Sequence, residues 1–189
     1  MFGSHLQKGT KTDADGLVGN KCNQNLWVYT ADCMPIFFAD KKKRKVAALH
    51  CGRKGLEKKI IKNLVKVFDN FGNYRDDLLV AIGPSISKAH YLVDKKTIKE
   101  FYRKAENKEL SNFLNKFEKN FNDTNSNNLK EQNLNQINLK RSAYRQLLHE
   151  KIPDINIDIS NLCTYELKNE FNSWRRSKTI SRQWSLICS

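Results

Sequence analysis

Apolar residues in this chain change their period several times, and each change predicts an element. Leu26 to Ala31 (LWVYTA) and Pro35 to Ala39 (PIFFA) are short runs rich in β-branched and aromatic residues, which predicts two buried strands. Val46 to Leu49 predicts a third. Beyond Gly52 and Gly55 the spacing turns helical: Leu56, Ile60, Ile61, Leu64, Val65 and Phe68 recur between lysines. That pattern predicts one amphipathic helix ending near Gly72. Leu78 to Ile82 (LLVAI) reads as another buried strand, cut off by Gly83-Pro84. Asp94 is placed to cap a helix running through Ile98, Phe101 and Tyr102.

From residue 103 to residue 138 the composition turns polar, with eleven asparagines in 36 positions. Leu110, Phe113, Leu114, Phe117 and Phe121 keep helical spacing before NDTNSNN marks a loop, so the stretch reads as a surface helix and a mobile insertion. It does not read as a domain boundary. Leu139 to Leu148 is helical again, Ile155 to Ile159 alternates as a half-buried strand does, and Trp184 to Cys188 suits a last strand. Strands interleaved with helices predict a layered α/β or α+β fold. No internal repeat is visible.

Composition narrows the class. The 189 residues suit one domain spanning 1–189, and 39% hydrophobic content is enough to build its core. No apolar run is long enough to cross a bilayer, and the first residues carry no signal-peptide stretch, so no membrane partner is expected. Five cysteines at irregular spacing, without a CxxC pair, point to reduced thiols and a cytoplasmic location. The formal charge of +14 attracts polyanions. Yet 25 of the 34 basic residues are lysine, a hydrated point charge ill-suited to base readout, so nucleic acid is not the expected partner. The 21 asparagines suggest that codon composition contributes to the lysine content. The tight run KKKRK (41–45), set between two predicted strands, reads as a solvated turn.

Reactive side chains fall just past strand ends in two places. One is Thr30-Ala31-Asp32-Cys33-Met34-Pro35. The other is His50-Cys51-Gly52-Arg53-Lys54-Gly55, where a histidine leaves a strand and glycines allow close backbone approach before a helix. Strands 26–31 and 46–49 in one sheet would bring Cys33 and His50 together. Such a pair suits zinc or copper, or serves as a nucleophile with its base. Singly, each residue has a plainer reading, as a core cysteine and a hydrogen-bonded histidine. In FNSWRRSKTISR (171–182), Arg175 and Arg176 beside Trp174 are placed to grip phosphate or stack on a base; a charged strand edge would look the same. Cys22, Cys163, Cys188, His90 and His149 lack a comparable setting and read as structural.

In order along the chain, DADGLV (13–18), TADCMPIFFAD (30–40), VAALHCGRKG (46–55), LLVAIGPSIS (78–87), CTYE (163–166) and SWRRSKTISRQWSLI (173–187) together resemble the laccase-domain family. That family, long described as multicopper polyphenol oxidases, now includes zinc-dependent purine nucleoside phosphorylases with adenosine deaminase activity and a peptidoglycan-editing factor. The resemblance implies an α/β (α+β) single-domain sandwich with mixed β-sheets flanked by helices. It also implies a metal site of two histidines and one cysteine, zinc with copper as the alternative. Cys33 matches the ADC cysteine and His50 the histidine of the HxGxxG motif; both are the expected catalytic residues. The family's other histidine lies in a QxHG-like motif that the residues before Asp13 do not spell. Either His5 stands in as the third metal ligand, or the family's N-terminal region is lacking here, which is the expectation.

The implied reaction is phosphorolysis of adenosine or inosine to free base and ribose phosphate, with adenosine deamination as a companion. The partners would be a small-molecule nucleoside and phosphate, with Lys54, Arg175 and Arg176 holding the phosphate. Arg53 and Lys54 replace the family's aromatic and arginine in the HxGxxG turn, and Asn172 replaces an aromatic before SxRR. Two other classes stay open: copper-dependent oxidation of phenols, and a catalytically impaired or non-enzymatic basic protein. Steeply salt-dependent binding to RNA or DNA without nucleoside turnover would mark the last.

Overall fold

The computed structural model describes residues 2–3, 14–105 and 136–189. His5 and nearly all of the polar stretch, residues 106–135, lie outside the described residues. In chain order the elements are β1 (Phe2–Gly3), β2 (Gly16–Gly19), β3 (Asn25–Thr30), β4 (Met34–Asp40), β5 (Val46–Cys51), α1 (Arg53–Glu57) and α2 (Ile60–Asn70). They continue with β6 (Leu78–Ile82), α3 (Lys95–Ala105), α4 (Leu139–His149), β7 (Ile157–Ile159), α5 (Trp174–Ser177) and β8 (Gln183–Cys188).

The main sheet runs β1-β2-β5-β4-β6-β7 and is mixed, with β1–β2 and β6–β7 parallel and the rest antiparallel. Period-2 alternation sorts each strand between two cores. Ile36 and Phe38 of β4 and Ala47, Leu49 and Cys51 of β5 pack against the apolar faces of α1 to α4, where Leu56, Ile61, Leu64, Phe68, Phe101 and Leu147 are buried. Val46 and Ala48 of β5 face the other way and meet Leu26 and Val28 of β3. The molecule is thus a helix layer, a mixed sheet and a β3–β8 ribbon, the α/β sandwich expected. Among the described residues, no helix is long and apolar enough to cross a membrane.

In three places the structure departs from, or adds to, the sequence reading. Strand β3 does not share a sheet with β5; it pairs antiparallel with β8, from Asn25↔Cys188 to Thr30↔Gln183. The single helix expected from Leu56 is two, because Lys59 takes a left-handed conformation at φ 57° and breaks the run between α1 and α2. Its ammonium donates to the Ala105 carbonyl at the end of α3, 2.7 Å away. Strand β2, which begins inside the DADGLV motif and ends one residue past it, pairs with β5 although its four residues are too few to show a period.

The basic run forms the turn between β4 and β5, with residues 41–44 exposed. Buried Asp40 organises it: its carboxylate accepts from the backbone N–H groups of Lys42 and Lys43 and from the Asn73 amide.

Candidate active site

His50 and Cys51 are consecutive on β5 and therefore point to opposite faces. Cys51 joins the helix-side core, where burial pushes its thiol pKa far up. His50 has the parity of Val46 and Ala48 and looks toward the ribbon. Asp15, just before β2, comes alongside because β2 pairs with β5: the His50 N–H donates to the Asp15 carbonyl at 2.8 Å. On the side-chain level, His50 Nδ1 lies 2.9 Å from Asp15 Oδ1.

Cys33 arrives from the other side. It precedes β4, which pairs with β5 in the register Met34↔Cys51 and Pro35↔His50. Adjacent strands therefore bring Cys33 to His50, and a common sheet of β3 and β5 is not needed. The two side chains are hydrogen-bonded, and this bond is the foremost cause holding the His50 pKa up at about 9. Opposite charge on Cys33, and the Asp15 carboxylate beyond the ring, act in the same direction, while burial opposes them. Gly52 makes room for the thiol: a Cβ there would stand 2.5 Å from Cys33 Sγ.

Asp32 fixes the loop that presents Cys33. Its φ of 91° lies in the left-handed region, a conformation that costs a non-glycine residue about 1–3 kcal/mol. Its carboxylate is buried and fully used. Oδ1 accepts from Thr164 Oγ1 at 2.9 Å and Oδ2 from the Arg175 N–H at 2.6 Å. One side chain thereby joins the ADC loop to the CTYE segment and to the start of α5.

These elements surround an open cavity of about 610 Å³ whose lining includes Asp15, Cys33, His50, Tyr91, Arg175 and Arg182. That volume falls within the about 300–1,000 Å³ usual for small-molecule sites. Trp27 and Tyr29 from the outer face of β3, and Trp174 from α5, add half-exposed rings to its wall. The Arg175 guanidinium sits 4.9 Å from the centre of the Tyr91 ring and donates to the Leu92 carbonyl.

The residues expected from sequence are therefore divided. Cys33, His50 and Arg175 converge on the cavity. Arg176 does not line it; its guanidinium donates to the carbonyls of Thr164, Tyr165 and Phe171 at 2.7–2.8 Å and staples the CTYE segment to α5. Lys54 is also outside the lining and pairs with buried Glu57 at 3.2 Å. Sequence reasoning passed over Asp15, Tyr91 and Arg182. Asp15 was already within the motif DADGLV, but its role depends on the β2–β5 register. Tyr91 follows a polar turn with no periodic signal.

Two chemistries suit this arrangement. A thiol bonded to an imidazole that is itself held by a carboxylate has the order of an activated nucleophile. It is also a metal-ligand pair, with Asp15 in the outer position that fixes a ligating histidine's tautomer. The donors fit a soft or borderline ion such as zinc or copper. Among the described residues, no third His, Cys, Asp or Glu completes a cluster with this pair.

The molecule is an α/β protein with a layered mixed sheet and a thiol–imidazole pair at the rim of its cavity. The chain belongs to the multi-copper polyphenol oxidoreductase laccase family, whose profile matches residues 3–189. Family membership implies a metal, and the Cys33–His50 donors are compatible with one.

A purine nucleoside phosphorylase of Synechocystis sp. is 29% identical over 189 residues, covering 95% of this chain and 69% of that protein. Another, from Borreliella burgdorferi, is 33% identical over 177 residues, covering 93% and 68%. The crystal structure of YlmD from Geobacillus stearothermophilus is similar at a TM-score of 0.74 and 26% identity, covering 93% of this chain and 61% of that one. The chain thus spans only part of the length of the proteins it matches.

Proposed function

We propose that this chain cleaves purine nucleosides with phosphate, releasing free base and ribose phosphate, and that adenosine and inosine are its substrates. The observation that carries the reading is the cavity itself, where aromatic rings, two arginines and the Cys33–His50 pair border one nucleoside-sized space. The names of the Synechocystis and Borreliella relatives support it.

In this mechanism Trp27, Tyr29 and Trp174 offer ring surface to the flat purine, and Arg175 and Arg182 hold the phosphate dianion. A phosphate oxygen bonds to the ribose anomeric carbon as the glycosidic bond breaks. The bonding pair leaves with the purine, which takes up the proton that the hydrogen phosphate loses as its oxygen bonds to the ribose. Asp15 orients the His50 ring through Nδ1, and Gly52 and Asp32 keep the Cys33 thiol in place. Cys33 and His50 would hold a zinc ion, which would supply Lewis acidity there. Deamination of adenosine, in which water displaces the exocyclic amine, is the companion activity that the family resemblance implies. The free state of all five cysteines supports a reducing compartment, the cytoplasm.

Chromatography after incubation with adenosine, phosphate and zinc tests the reading. Adenine with ribose phosphate is expected, and inosine reports the deaminase. Cys33→Ala and His50→Ala should each abolish turnover while the circular dichroism spectrum stays unchanged. Full activity in both variants, or unchanged adenosine with the zinc-loaded chain, overturns the proposal. Oxygen-dependent oxidation of a phenol by the copper-loaded chain would favour the oxidase named in the family description.

A further inference from the structure

We propose that His90, Cys163 and Glu166 form a second cation site for zinc or a chemically similar divalent ion, separate from the Cys33–His50 pair. It would staple the loop after β6 to the segment after β7. Among the described residues this is the group of three His, Cys, Asp or Glu side chains whose ligand atoms gather closely, all within 4.8 Å of one another.

The donor set is one thiol, one imidazole and one carboxylate, all ordinary zinc ligands, and it leaves a fourth tetrahedral position for water. His90 Nε2 and Glu166 Oε1 are already 2.9 Å apart. Cys163 is buried, whereas the other two side chains are partly exposed and can adjust around an ion.

The surroundings resemble the outer shell of a built site. The backbone N–H of Ser87 donates to Cys163 Sγ at 3.3 Å, leaving the sulfur further lone pairs. The His90 ring is stacked on Tyr165, with centroids 4.4 Å apart and planes within 15°, which fixes its orientation. Ser85 forms a β-bridge with Cys163, and its fully buried hydroxyl has no hydrogen-bond partner among the described residues. Lys140, whose ammonium donates to the carbonyls of Ser160 and Leu162, is close enough to offset negative charge on Cys163 and Glu166 when no ion is present.

The position gives such an ion a consequence. Tyr91, next to His90, lines the active cavity. Thr164, next to Cys163, holds the Asp32 carboxylate that orders the ADC loop. A cation tying His90 to Cys163 and Glu166 therefore braces two walls of the cavity from behind.

The test is a zinc titration of the full chain carrying Cys33→Ala and His50→Ala, with bound metal counted by mass spectrometry. One equivalent of zinc should remain, and zinc should raise the Tm. The cobalt-loaded protein should show thiolate-to-cobalt charge transfer that disappears in Cys163→Ser. His90→Ala and Glu166→Gln, both at partly exposed positions, should each remove that equivalent. Should the double background fail to fold, the same count is made in the otherwise unmodified chain, where either substitution should lower the bound zinc by one equivalent. A folded double variant that binds no zinc, or a count unmoved by His90→Ala and Glu166→Gln, overturns the proposal.

Discussion

Gly52 shows how much of this site rests on a missing atom. Its φ is ordinary, so conformational freedom is not the reason for a glycine here. A Cβ at this position would meet Cys33 Sγ at 2.5 Å, and the sulfur is the more mobile of the two. Gly52→Ala should therefore leave the fold intact while rotating the thiol away from His50. Turnover should fall at least about tenfold, because ångström-scale misplacement of a reacting group has effects of that order or more. Alkylation kinetics of Cys33, measured beside activity and circular dichroism, would show whether the thiol has moved. The neighbouring histidine gives a pH prediction for the metal-free protein. Its folded pKa of about 9 exceeds the ordinary 6.5, so protonated His50 favours the folded state. That stabilisation is fully present below about pH 6.5 and is lost as pH rises through about 9. Thermal melts of metal-free wild type and His50→Gln should therefore converge across this interval. Asp15→Asn should lower the His50 pKa, as followed by proton NMR.

The elements show where sequence reading stops. Helix α2 was legible because Ile60, Ile61, Leu64, Val65 and Phe68 have a period. The break at Lys59 was not, since it depends on a contact with α3 that has no local signal. The approach of Cys33 to His50 was read as conditional on a common sheet for strands 26–31 and 46–49, whereas β4 and β5 provide it: short apolar strands carry no mark of which neighbour they join. Arg175 and Arg176 illustrate the same limit within α5, where adjacency in sequence sends one guanidinium to the cavity and the other to three backbone carbonyls. Their variants should separate accordingly. With each hydrogen bond from a charged group contributing about 1.5–3 kcal/mol, Arg176→Ala should destabilise the protein by at least about 2 kcal/mol. That corresponds to a Tm lowered by about 4–8 °C for a chain of this size. Arg175→Ala should retain more of the Tm and instead raise KM for phosphate. At the β4–β5 turn, burial works against the charged form of Asp40, but the donors from Lys43, Asn73 and Lys42 outweigh it and hold its pKa below the ordinary aspartate value. Its stabilising effect is present above about pH 4 and is lost as pH falls through the lower folded value. Asp40→Asn should accordingly lower stability at neutral pH and narrow its difference from wild type in acid.

At the scale of the whole molecule, the +14 charge and the cavity bear on each other. Lysine dominates that charge, and much of it lies on exposed turns and helix faces such as residues 41–44. This distribution supplies a long-range field, while Arg175 and Arg182 line the cavity, where the proposed function gives them the directed contacts. The two contributions respond differently to salt. A diffuse field is screened over a Debye length of about 8 Å at physiological ionic strength, whereas contacts inside a cavity are screened much less. Phosphate is a dianion and purine nucleosides are neutral, so salt should act on the two proposed substrates unequally. Raising sodium chloride from low to physiological concentration should increase KM for phosphate several-fold and leave KM for inosine nearly unchanged. Replacing Lys41, Lys42 and Lys43 with glutamine should lower phosphate capture at low salt by a factor that vanishes at high salt. An equal effect of salt on both KM values would mean that the charge acts on the protein's stability or association instead of on its anionic substrate.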